Sequence, residues 1–284
     1  MRGASARSQD WMLDRVDQLV EGGADATVLG DELFAVVEVL DAQPVLRRLL
    51  TDPGAPEEAK RGMVRQLFGT GGQGLVRSLF SRDGGKVADT TVNVLADAAA
   101  VRWQSTRDLP DALERAGVMA HLNAAEQRGE LDEVEDELFR FGRVVHGDPA
   151  LRAAVSNRAV PVGQRRDIVA ALLSARAGTA TVALARQAAV ARHGSFEVTI
   201  DEMGALAANR RNRLVATVTS AVELTETERR RLAEALGRHY GRALHVNVIV
   251  DPRVLGGLAV QVGDDLIDGT VSGRLEDARR RITG

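Results

Sequence analysis

The chain has 284 residues, a formal net charge of −3 and no cysteine, which excludes a disulfide scaffold, a thiol nucleophile and any Cys-ligated zinc site. Hydrophobic residues make up 44% and charged residues 27%, a globular balance, but aromatics reach only 3%, so the core must be built mainly from Leu, Val, Ala and Ile. No stretch approaches the roughly 18 uncharged apolar residues of a membrane span, so neither direct membrane insertion nor a secretion signal is expected.

From the N-terminus, the 3- and 4-residue spacing of apolar positions predicts helices near 8–21, 31–42, 44–50, 56–68, 73–81 and 87–105. The glycine cluster Gly69–Gly74 reads as a linker between two of them. A second series follows. Pro110 suits a first helical turn, and a helix should run to about Gln127. Leu131, Val134, Leu138, Phe141 and Val145 then share one face. Pro149 restarts a short helix through Val155. Pro161 precedes another, with Ile168, Leu172 and Leu173 expected inward. Two more lie near 179–192 and 196–212, separated by His193-Gly194-Ser195.

The two series are copies of one another. Residues 31–68 and 136–173 align without gaps at an offset of 105, with 12 identities in 38 positions. Asp31-Glu32-Leu33-Phe34 returns as Asp136-Glu137-Leu138-Phe139, and Val39, Pro44 and Leu46 return as Val144, Pro149 and Leu151. A period this long means a duplicated domain rather than a solenoid. Each copy is expected to own a core and to form a bundle of about six helices, in the order 1–106 and then 107–212.

The last segment, 213–284, changes period. Leu214-Ala216-Val218, Val246-Val248-Val250 and Leu258-Val260-Val262 alternate as strands do. Thr225-Glu226-Thr227-Glu228 is a capping-box pattern opening a helix whose apolar face is Leu232, Ala235, Leu236 and Tyr240. Asp251-Pro252 and Gly263-Asp264 are turn signals. Val271, Leu275, Ala278 and Ile282 line a closing helix. The expected fold class is mainly α with a small α/β part: two tandem six-helix bundles, then a small sheet-and-helix domain.

Few constellations carry chemistry. His121, His146, His193, His239 and His245 have no partners at metal-ligand spacing and read as surface or boundary residues. No G-x-S-x-G elbow occurs, and Gly69–Gly74 lacks the Gly-Lys-Ser/Thr ending of a P-loop. Leu266-Ile267-Asp268-Gly269-Thr270 resembles the D-x-D-G-T loop of haloacid-dehalogenase-like phosphatases, but Leu266 stands where the nucleophilic Asp belongs. The bland reading is a turn at Asp268-Gly269, with Thr270 or Ser272 capping the last helix. Arg229-Arg230-Arg231 and Arg279-Arg280-Arg281 raise a nucleic-acid alternative. Both runs are flanked by acids, and platforms for base stacking are missing apart from Tyr240. A solvated helix face is the simpler reading. Trp11 and Trp103 are expected to pack.

Residues 246–258, Val246-Asn247-Val248-Ile249-Val250-Asp251-Pro252-Arg253-Val254-Leu255-Gly256-Gly257-Leu258, are similar to the strand, Asp-Pro turn and Gly-Gly strand of the ATP synthase delta subunit family, which includes the mitochondrial oligomycin-sensitivity-conferring protein. The continuation Val262-Gly263-Asp264-Asp265-Leu266-Ile267-Asp268-Gly269-Thr270-Val271-Ser272-Gly273-Arg274-Leu275 also resembles it, as does the entry Leu214 to Thr225. The signature residues are Asp251, Pro252, Gly256, Gly257, Gly263, Asp268, Gly269, Gly273, Arg274 and Leu275, expected to be structural. Gly256-Gly257 should enter a strand where a side chain would obstruct a neighbour, and Gly263 and Gly269 should supply positive φ. The doubled N-terminus resembles the longer delta subunits of high-GC Gram-positive bacteria, in keeping with the scarcity of Lys beside Arg.

The resemblance implies a non-catalytic peripheral-stalk subunit of a rotary F-type proton-transporting ATP synthase, with no catalytic, cofactor-binding or metal site. It implies two partners. The N-terminal helix of an alpha subunit would dock in an apolar groove of a bundle, and the membrane-anchored b subunit would be held by 213–284. It further implies a peripheral place on the cytoplasmic face of the plasma membrane, and no nucleic acid.

Overall fold

The structure is a computed structural model of the chain. It describes residues 3–69, 87–190, 192–212, 215–240, 244–254, 256–263 and 265–270. The expected helix at 73–81 and the closing helix lined by Val271 to Ile282 lie outside the described residues. The helices are α1 (Gly3–Glu21), α2 (Ala26–Ala42), α3 (Pro44–Leu50), α4 (Glu57–Phe68), α5 (Asp89–Ala100) and α6 (Asp108–Arg128). They continue as α7 (Leu131–Gly147), α8 (Pro149–Ser156), α9 (Val162–Leu173), α10 (Thr179–Ala188), α11 (Phe196–Asn212) and α12 (Glu226–Tyr240). Four strands follow the order β1 (Val215–Ser220), β2 (His245–Val250), β3 (Leu258–Val262) and β4 (Asp265–Asp268). The chain is mainly helical with one small α/β part, and it divides into two units, 1–206 and 207–284.

Local chemistry sets the boundaries. α2 begins five residues before its expected start because Asp25 Oδ1 accepts hydrogen bonds from the Thr27 and Val28 amides at 2.9 and 3.1 Å. Pro44 and Pro149 occupy the first turns of α3 and α8, where a missing N–H costs nothing. Gly129, at φ 71°, terminates α6 in the left-handed conformation, and its N–H reaches back to that helix's last carbonyls.

The second half of each copy is paired differently from the expectation. Glu32 on α2 accepts hydrogen bonds from the Ala88 amide, at 2.9 Å, and from the Thr91 hydroxyl, at the start of α5. Glu137 on α7, its repeat mate, accepts them from the Gly178 amide at 3.0 Å and the Thr181 hydroxyl at 2.5 Å, at the start of α10. α5 is therefore the counterpart of α10, not of α11, and the offset falls from 105 to 90 across the stretch after α4. The stripe of α9 also differs. Arg165, Val169 and Leu173 are buried and Leu172 is exposed, as Lys60, Val64 and Phe68 are buried on α4. The inward positions lie four residues apart, so the 168/172 pairing pointed one residue off the buried line.

One face of the second copy's first helix lies in the core of the first copy. Leu109, Ala112, Leu113, Ala116, Ala120 and Ala124 of α6 belong to the same apolar cluster as Met12, Val16, Leu33, Leu40 and Leu95. α6, first helix of the second copy, thus packs along α1 and α2 of the first. Small residues bring it close. A Cβ on Gly117 would fall 2.7 Å from the Phe34 ring, and one on Gly30 would fall 2.7 Å from His121. Phe34 and His121 stack with ring centroids 5.3 Å apart. His121 is buried rather than at the boundary. Trp103 is buried, its Nε1 donating to the Ala98 carbonyl at 2.7 Å, whereas Trp11 is exposed and Met12 takes the inward place.

In the second unit the sheet order is β2-β1-β3-β4. β1 and β2 are parallel, connected through α12; β3 is antiparallel to β1 and β4 to β3. Opposed pairs Ala216–Val262 and Val218–Val260 put alternate residues into a core with Leu236 and Leu244. The capping box forms: Glu228 Oε2 accepts from the Thr225 amide at 2.9 Å and hydroxyl at 2.6 Å, and Thr225 Oγ1 accepts from the Glu228 amide at 3.3 Å.

Candidate functional site

The described signature residues gather around the β2–β3 connection and the β3–β4 hairpin. β2 ends where the Asp251 amide donates to the Ser220 carbonyl at 2.8 Å, tying the Asp-Pro turn to the end of β1. The Asp251 carboxylate accepts from Arg253: Oδ1 from its amide at 3.0 Å and Oδ2 from Nη2 at 2.9 Å. Those Arg253 hydrogen bonds hold the Asp251 carboxyl below its ordinary range. Pro252 follows in the exposed turn.

Gly256 and Gly257 both have positive φ, 136° and 82°. At Gly257 space is absent as well, because an added Cβ would lie 3.0 Å from Thr270 Cα and closer still to the Gly269 carbonyl oxygen. The two signature segments therefore touch backbone to backbone, and the Gly269 amide donates to the Leu258 carbonyl at 2.9 Å. Gly263 turns the hairpin at φ 57°. Gly269 departs from expectation. It is not left-handed, and its constraint is steric, with a Cβ 3.0 Å from the Leu258 carbonyl oxygen. Asp268 is engaged locally, Oδ1 accepting from the Thr270 amide and hydroxyl at 2.9 and 2.7 Å, and these bonds lower its pKa. Asp268 thus forms an Asx turn that closes the chain after β4. Gly273, Arg274 and Leu275 lie outside the described residues.

A second cluster joins the two copies. Arg192, just ahead of α11, donates from Nε to Asp41 Oδ2 at 2.5 Å and from Nη1 to Glu114 Oε2 at 2.8 Å, with Nη2 3.0 Å from Asp111 Oδ1. Burial would lower its pKa, but the hydrogen bonds to Asp41 and Glu114 outweigh that and raise it. Glu114 also accepts from Gln187 at 2.6 Å, and Arg166 donates to Glu38 at 2.6 Å. α2, α6, α9 and α10 are thus bound by one chain of charge-assisted bonds. Among the described residues no group of His, Asp and Glu is arranged to hold a metal ion, and no helix is long and apolar enough to cross a membrane.

The family model described as "ATP synthase delta (OSCP) subunit" matches residues 118–282. Curated relatives match along the whole length. "ATP synthase subunit delta" of Streptomyces coelicolor is 43% identical over 284 residues, covering 99% of this chain and 98% of its own. That of Beutenbergia cavernae is 45% identical over 286 residues, covering all of both chains. The chain belongs to the ATP synthase delta (OSCP) subunit family. Its members are structural subunits, and this chain is a structural subunit rather than an enzyme. Residues 1–117 fall outside the family model but inside these full-length alignments, so the N-terminal copy has a counterpart in the relatives.

Sequence reading missed the Arg192 cluster, because Arg192, Asp41 and the Asp111–Glu114 pair come from three segments far apart in the chain. The paired caps were within reach. Asp31-Glu32 and Asp136-Glu137 are identical in the two copies, yet each glutamate's target lies 41 or more residues downstream.

Proposed function

We propose that this chain is the peripheral-stalk connector of a rotary F-type ATP synthase, tethering the catalytic head to the membrane-anchored b subunit. Its full-length relationship to delta subunits carries the reading. The backbone-tight signature end of the sheet supports it, because close-packed turns suit a surface that holds a partner under load. The helical unit receives the N-terminal helix of an alpha subunit, and residues 213–284 grip the b subunit. α2 of this same chain packs along α6 and also touches α10. The alpha helix accordingly docks on another face of the helical unit. The protein is held peripherally at the cytoplasmic side of the plasma membrane through these partners.

The test is ATP synthesis in inverted membrane vesicles depleted of this chain. Depletion is expected to abolish proton-driven synthesis while the released head keeps its ATPase activity. Adding residues 1–284 restores synthesis, and adding 1–212 does not, although it still binds the head. Full coupling with 1–212 would overturn the role given to 213–284. Undiminished synthesis after depletion would overturn the connector reading.

A further inference from the structure

The duplication gives each surface of one copy an internal control in the other. Phe34 and Val39 on α2 are 7% and 2% exposed; their repeat mates Phe139 and Val144 on α7 are 62% and 57% exposed. The residue types are identical while the environments are opposite. What covers Phe34 is known in detail: it lies against Gly117 of α6 and the His121 ring.

The two acidic residues beside Phe34 have no acidic counterparts beside Phe139. α2 carries Glu38 and Asp41, which meet Arg166 and Arg192 at 2.6 and 2.5 Å. The matching positions on α7 are Arg143 and His146, both exposed. Arg140 beside them replaces Ala35 and pairs with Asp136 along the helix at 2.5 Å.

We propose that the face of α7 formed by Phe139, Arg143 and His146, at i, i+4 and i+7, docks a helix of another polypeptide. That helix presents glycine or alanine at the point of closest approach, as Gly117 does to Phe34. It carries carboxylates along its edge, where the partners of α2 carry arginines. The exposed Phe139 ring gains by burial, and a small-residue partner allows the close approach that a ring needs. Opposite charge along the rim sets register and selects the partner. The inference rests on the repeat and not on the stalk reading.

The test uses the full chain in native membranes, with p-benzoylphenylalanine at position 139 and, as a control, at exposed Glu133. Irradiation is expected to give one adduct from position 139 to another polypeptide, mapped by mass spectrometry to an acidic helical segment rich in Ala or Gly. Position 133 gives none. Arg143→Glu in the same chain loses most of the adduct without changing the melting temperature. The proposal is overturned by no adduct, by an adduct to this chain or a second copy of it, or by a mapped segment without acids and small residues. An adduct to a polypeptide outside the ATP synthase would leave the docking face standing and overturn the stalk reading instead.

Discussion

At the residue scale the signature is a set of backbone constraints. Gly257 combines positive φ with a neighbour's backbone inside contact distance. Gly257→Val should therefore cost on the order of 2–4 kcal/mol, from left-handed strain and overpacking together. The cost falls on the second unit, so its melting transition drops while that of residues 1–206 stays in place; an unchanged melt would refute the steric account. Asp251 gives a pH prediction of definite sign. Its folded pKa lies below the ordinary value of 3.8 because of Arg253, so the stabilisation is complete above that value and lost as pH falls through the lower folded pKa. Carboxyl NMR should show Asp251 titrating below 3.8, and Arg253→Ala should raise the midpoint.

At the element scale, the two glutamates that cap distant helices define the repeat better than its helix count does. Glu137→Leu leaves the Gly178 amide and Thr181 hydroxyl at the head of α10 without their acceptor, at a cost of about 1–3 kcal/mol. Thermal melts should show it, and Glu32→Leu should act on α5 in the same direction. Either variant melting as the parent does would count against the caps. The elements themselves were largely legible in sequence. Pro44, Pro149, the Thr225–Glu228 box and the alternating strands act within a few residues, and local chemistry decides them. The 168/172 stripe was misplaced because Arg165, 3% exposed, takes an inward position that polarity reserves for apolar residues. Burial together with nearby Arg158 and Arg166 lowers its pKa. The caps, the Arg192 cluster and the burial of His121 were not legible, since each depends on which helices meet.

At the scale of the whole molecule, α6 makes the two copies interdependent. Its stripe of Leu109, Ala112, Leu113, Ala116 and Ala120 lies in the cluster that the first copy builds. A fragment beginning at residue 107 exposes that stripe, and each Leu returned to water forfeits about 1.5–3 kcal/mol. The 107–284 fragment should bind a hydrophobic dye, aggregate and melt well below the full chain. A soluble fragment melting cooperatively at the parent temperature would show that the second copy stands alone. The duplication visible in sequence marks ancestry, while the packing marks what folds together, and only the first has a linear signature.

The Phe34 ring over Gly117 also has a mechanical meaning. On α6 the positions four residues to either side are Leu113 and His121, both bulky, and neither offers the gap that Gly117 does. Sliding α2 along α6 therefore requires the ring to be lifted out and reseated about 5.4 Å away, one helical pitch. Such a contact behaves as a detent. Below a threshold pull it holds its position without creep, and above it the seam slips by a whole pitch.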